Sequence, residues 1–207
     1  MFDCFYRQGK PDFETMIMMF EKRRRSVMGR GFMRQIGIAG MAVFAALFVT
    51  YLQYRAGEPG LFAASQATLD RRNGVILTLV LLSASFLVVL AVRAVRAGLP
   101  RLAQRLILAA AGCGALFVVL KALEYHDKVA HHLTPQTNDF YMLYFVLTGL
   151  HLFHVVLGLV VLMVLYRIAG RRELSPVRLG FVEGGACFWH MVDLLWIVLF
   201  PLLYLVR

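Results

Sequence analysis

The chain has 207 residues, 60% of them hydrophobic and only 16% charged, with a formal net charge of +10 and a mean hydropathy of +0.69. Soluble domains carry about a quarter charged residues, so the composition excludes an ordinary soluble enzyme. The basic excess does not indicate nucleic acid, because the lysines and arginines cluster beside apolar runs, as membrane topology signals do.

Residues 1–35 read as a cytoplasmic N-terminal tail. Its apolar patch, Met16 to Phe20, is too short to span a bilayer and is followed by Lys22, Arg23, Arg24 and Arg25; it is either solvated or an interfacial helix held by its basic cluster. The tail does not read as a cleavable signal. Residues 36–207 read as a five-helix transmembrane domain. The first apolar run is Ile36 to Tyr54, with Gly37 and Gly40 permitting close helix approach. A polar loop over 55–73 follows, then runs from Gly74 to Val92 and from Leu106 to Leu123 joined by a basic turn. A polar connection over about 120–139 holds His126, His131 and His132. The last two runs, Phe140 to Tyr166 and Phe181 to Val206, flank a basic loop over 167–178. Sixteen Lys and Arg fall on one side of this arrangement and six on the other, which predicts a cytoplasmic N-terminus and an external C-terminus. The expected location is a bacterial inner membrane.

The last run carries Glu183, Cys187, His190 and Asp193 along one helical side. An ionisable group in hydrocarbon costs a few kcal/mol even on the gentlest scales, so this stripe is expected to face protein or a wet cavity. His151 and His154, three apart on the preceding run, are the expected partners at the same depth. These histidines can be read as metal or heme ligands, or as hydrogen-bonding staples between helices. His190 and Asp193 are close enough to hold each other, and a proton relay is the sharper alternative. Glu183 lies near the interface, where it can reach water or a lipid head group. Cys4, Cys113 and Cys187 are scattered and lack CxxC spacing, which argues against a disulfide framework or structural zinc site. The outer-loop histidines beside Glu124, Asp127 and Asp139 are either solvated or a peripheral metal site. No nucleophile elbow, phosphate loop or HExxH occurs.

Two stretches carry a resemblance. Leu147-Thr148-Gly149-Leu150-His151-Leu152-Phe153-His154-Val155-Val156-Leu157-Gly158, and Trp189-His190-Met191-Val192-Asp193 followed by Trp196 through Pro201, resemble the heme-copper oxidase subunit III family. Glu183, seven residues before His190, fits that family's last helix. The likeness covers residues 36–207. Leu61 to Leu69 and Leu133 to Phe140 further resemble the short five-helix members that accompany nitric oxide reductase (NorE type). The resemblance implies an all-α membrane bundle lacking the first two helices of a seven-helix subunit. It implies no catalytic residue, heme or metal on this chain, with heme and iron or copper in the catalytic partner subunit, and roles in stabilising that subunit and binding phospholipid. Many members carry an acid in the first of these five helices, where this chain has Met41.

The reading is therefore a non-catalytic accessory subunit of a nitric oxide reductase or terminal oxidase. Its functional seam, as inter-helix polar contacts or lipid contacts, is His151, His154, Glu183, His190 and Asp193. The alternatives are a stand-alone proton-conducting or small-solute transporter, which needs a polar path on several helices, and a heme- or metal-binding membrane enzyme.

Overall fold

A computed structural model describes residues 40–171 and 175–205; the expected tail over 1–35 lies outside the described residues. Among these, all regular structure is helical. Helix α1 covers residues 40–57. It is followed by α2 (Pro59–Ala67), α3 (Arg71–Arg96), α4 (Pro100–Ala130), α5 (Asp139–Ala169) and α6 (Pro176–Phe200), which runs on into a π-helical turn, Pro201–Leu205. Four helices among the described residues are long and apolar enough to cross a membrane: α3, α4, α5, and α6 with its π turn.

Each long helix overruns the apolar run that announced it, because capping and charged end residues continue the spiral. Pro100 and Pro176 occupy first-turn positions, where the missing N–H is no loss. Asp70 caps α3 by accepting from Arg72 N at 2.8 Å, and Asn138 caps α5 by accepting from Tyr141 N at 3.0 Å. The tight turn between α3 and α4 depends on Gly98 at φ +70°, where Gly98 N donates to Val95 O and Leu99 N to Ala94 O. His132 takes the same left-handed place after α4, at φ 59°, with Leu133 N donating to Lys128 O.

Two segments differ from the sequence expectation. The polar loop over 55–73 contains α2. The polar connection over 120–139 is mostly helix, since α4 continues through Ala130. Lys121, Glu124 and Lys128 recur at helical spacing, and all three are buried. Polarity there marks an inward face, not a loop.

Helices α3, α4, α5 and α6 form a ring, each packed on two neighbours, and α2 lies against α5. Helix α1 meets α5 through Phe44 against His154 and Tyr51 against Phe140. Large apolar side chains such as Phe86, Phe153 and Val160 face outward, as expected of a surface solvated by acyl chains. Burial in water therefore does not hold these helices together; close packing and internal hydrogen bonds must.

Candidate functional site

The densest polar cluster lies between α4, α5 and the π turn. Lys121 Nζ donates to Glu124 Oε1 at 3.2 Å and to the hydroxyls of Tyr144 and Tyr204, each at 3.0 Å. Both tyrosines donate in turn to Glu124 Oε1, at 2.5 and 2.6 Å. All three ammonium protons are thus engaged, and Lys121 also stands 4.8 Å from the Tyr144 ring centroid and 5.5 Å from that of Trp196. Lys121, Tyr144 and Tyr204 are at most 1% exposed. Tyr204 reaches the cluster from the π turn, an element often found at functional positions. One layer further out, Thr148 donates to Tyr144 O, so Tyr125 donates to Thr148.

The same end of the bundle is tied by a second set of bonds. Lys128 Nζ donates to Thr68 O at 2.7 Å. Gln66 Nε2 donates to Tyr51 Oη and to Leu202 O, both at 3.1 Å. Asn138 Nδ2 donates to Ser65 Oγ at 3.1 Å, and Thr68 meets Tyr141 at 2.7 Å. These contacts pin α2 across the ends of α1, α5 and the π turn.

Of the five residues expected to form one seam, His190 and Asp193 share the Ser85 hydroxyl and the other three occupy separate contacts. His151 is fully buried between Phe117 and Trp196, with ring centroids 5.6 and 5.1 Å away, and neither nitrogen has a hydrogen-bond partner among the described residues. His154 donates from Nδ1 to Leu150 O at 2.8 Å and turns its other edge toward α1, where Gly40 leaves room. His190 Nδ1 meets Ser85 Oγ of α3 at 2.5 Å. Asp193 is buried beside the same hydroxyl, its Oδ1 without a partner among the described residues. Glu183 pairs with Arg96 at 2.8 Å. The expected meeting of His151 and His154 with His190 and Asp193 is not what these hydrogen bonds describe. Residues three apart on a helix diverge by about 60°, enough to send neighbours to different partner helices. Ser85 of α3, in a run where a serine can bond either its own helix backbone or a neighbouring helix, bonds the neighbour.

Both members of the Glu183–Arg96 pair are partly exposed, so the pair contributes little. Arg96→Ala is expected to lower stability by less than about 1 kcal/mol, a difference that thermal melting should show shrinking further in high salt. The outer histidines lie on the exposed surface, where His131 Nδ1 donates to Asp127 O at 2.8 Å. No grouping of three His, Cys, Asp or Glu side chains with metal-binding geometry occurs among the described residues. Cys113 and Cys187 are free thiols, and Met41 is exposed on α1.

Comparison with known proteins agrees with this architecture. Residues 68–206 match the family model described as cytochrome c oxidase subunit III. Cytochrome c oxidase subunit 3 of a Synechocystis species is 33% identical over 173 residues, covering 81% of this chain and 71% of that protein. A probable cytochrome c oxidase subunit 3 of Mycobacterium bovis is 29% identical over 164 residues, covering 79% and 81%. Subunit 3 of a cytochrome bo(3) ubiquinol oxidase from Pseudomonas putida is 29% identical over 92 residues, 44% of each chain. With two thirds of its length inside one family model and its long helices arranged as a ring about buried polar ties, this chain belongs to the cytochrome c oxidase subunit III family.

Proposed function

We propose that the chain is a non-catalytic accessory subunit of a membrane respiratory complex, either a heme-copper terminal oxidase or a nitric oxide reductase, which it stabilises while holding phospholipid. The observation that carries this reading is the family match over residues 68–206. Its side chains fit that role: the buried polar groups tie helix to helix. In this reading His151, His154, Glu183, His190 and Asp193 are structural contacts between helices, and heme with iron or copper belongs to the catalytic partner. The N-terminus is cytoplasmic and the membrane a bacterial inner membrane.

The two stretches that resemble the nitric oxide reductase subgroup, Leu61 to Leu69 and Leu133 to Phe140, meet through Asn138 and Ser65, so they act as one local unit. Lipid binding draws support from a groove of about 300 Å³ lined by Arg167, Arg171 and Arg178 beside Val164, Val177 and Phe181. Guanidinium groups above an apolar wall suit a phosphate head group and its acyl chain.

The test is purification of the tagged chain in gentle detergent with identification of the co-purifying chains and metal analysis. A heme-containing catalytic subunit in equal amount is expected; iron without copper selects the nitric oxide reductase, and iron with copper the oxidase. A tagged chain that purifies alone and conducts protons in vesicles would overturn the proposal.

A further inference from the structure

We infer that the α3–α6 face is where the catalytic subunit docks, through a hydrogen bond between a polar side chain on one of its membrane helices and the His190–Ser85 pair. This inference rests on the accessory-subunit reading above. Ser85 lies fourteen residues from Arg71 and eleven from Arg96, and His190 lies fourteen from Pro176 and fifteen from Leu205. Each is therefore about 20 Å along its helix and near mid-membrane. The two histidines of α5 are enclosed or turned to a neighbour: His151 is fully buried, and His154 faces α1.

His190 differs, being only partly buried. Its Nδ1 is occupied by Ser85, and Nε2 has no hydrogen-bond partner among the described residues. One turn further along, Asp193 Oδ1 is buried and also lacks one. Acyl chains provide neither donor nor acceptor, and water is absent at this depth, so lipid leaves this imidazole unsatisfied. A hydroxyl or carboxamide on a partner helix satisfies Nε2 whichever tautomer His190 adopts. Val89 and Leu194, each four residues from the pair and exposed, supply apolar contact around that bond, the arrangement in which a buried contact is shielded by its rim.

The test uses the full chain, expressed with its complex and carrying a photo-reactive benzoylphenylalanine at Val89, at Leu194, or at exposed Val160 on α5. Irradiation should cross-link the first two positions, but not Val160, to the catalytic subunit. In parallel, His190→Phe should lower the catalytic subunit recovered per tagged chain about three- to tenfold, the scale of one inter-helix hydrogen bond in a membrane. Should His190→Phe fail to fold, the cross-links still decide. Cross-links from Val160 alone, or from Val89 and Leu194 only to lipid or to a second copy, would overturn the docking face while leaving the accessory role intact. Absence of any co-purifying heme-containing chain would instead overturn the accessory reading, and this inference with it.

Discussion

Lys121→Met is expected to destabilise the chain by about 3–5 kcal/mol, as removal of one partner from a buried ion pair does. The loss is not of an attraction alone. Glu124 would keep the hydroxyls of Tyr144 and Tyr204, but its charge would stand uncompensated in a site only 7% exposed. Glu124→Leu should cost a similar amount by stranding the ammonium group. The double variant Lys121→Met/Glu124→Leu removes both charges and should regain most of the loss, since apolar replacement of a whole buried pair is often close to neutral. Thermal melting of the detergent-purified chains, followed by the fluorescence of Trp196 beside Lys121, gives the three values needed for a double-mutant cycle. Additive losses would show that the two side chains act independently and that the pair is not the tie described here.

The second large effect lies in the slot that holds Trp189. Its indole is buried between α4 and α5 at two glycines. A β-carbon added at Gly114 would stand 2.7 Å from Trp189 Cη2 and 2.8 Å from Leu159 Cδ2; one added at Gly158 would stand 2.9 Å from Trp189 Cε3. Gly158→Val and Gly114→Ala should therefore each cost about 1–3 kcal/mol through overpacking. Trp189→Ala should cost about 3–5 kcal/mol through the cavity it leaves. Trp189→Phe should be much milder, because Nε1 makes no hydrogen bond among the described residues. Gly158→Val combined with Trp189→Leu should lose less than the sum of the two, as melting temperatures of the four proteins would show. A strictly additive result would mean that the ring and the glycine do not compete for the same space.

The spanning helices were legible because hydrophobicity over some twenty residues overrides every weaker local signal, and the subunit III likeness rests on contiguous stretches around His151 and His190. Helix ends were less legible. Lys121, Glu124 and Lys128 looked like the start of an external connection, although their spacing places them on one face of α4. Their partners, Tyr144 and Tyr204, lie 20 and 80 residues from Glu124, a separation no local pattern encodes. The π turn was hidden because the apolar run from Phe181 to Val206 passes through Pro201 without a break in hydrophobicity; in the fold Tyr204 of that turn reaches Lys121. The helices that carry His151, His154 and His190 were legible, but which neighbour each histidine faces depends on helix rotations of about 60°, and sequence spacing alone leaves these undetermined.

An accessory role is tested most directly by following heme through removal of the partner. The complex captured on the tagged chain is first recorded as a reduced-minus-oxidised visible spectrum, then stripped with a harsher detergent, and both fractions are measured again. The account predicts that heme absorbance leaves with the catalytic subunit and that the retained chain carries no stoichiometric iron or copper. Heme or metal remaining on the stripped chain, one per polypeptide, would contradict it.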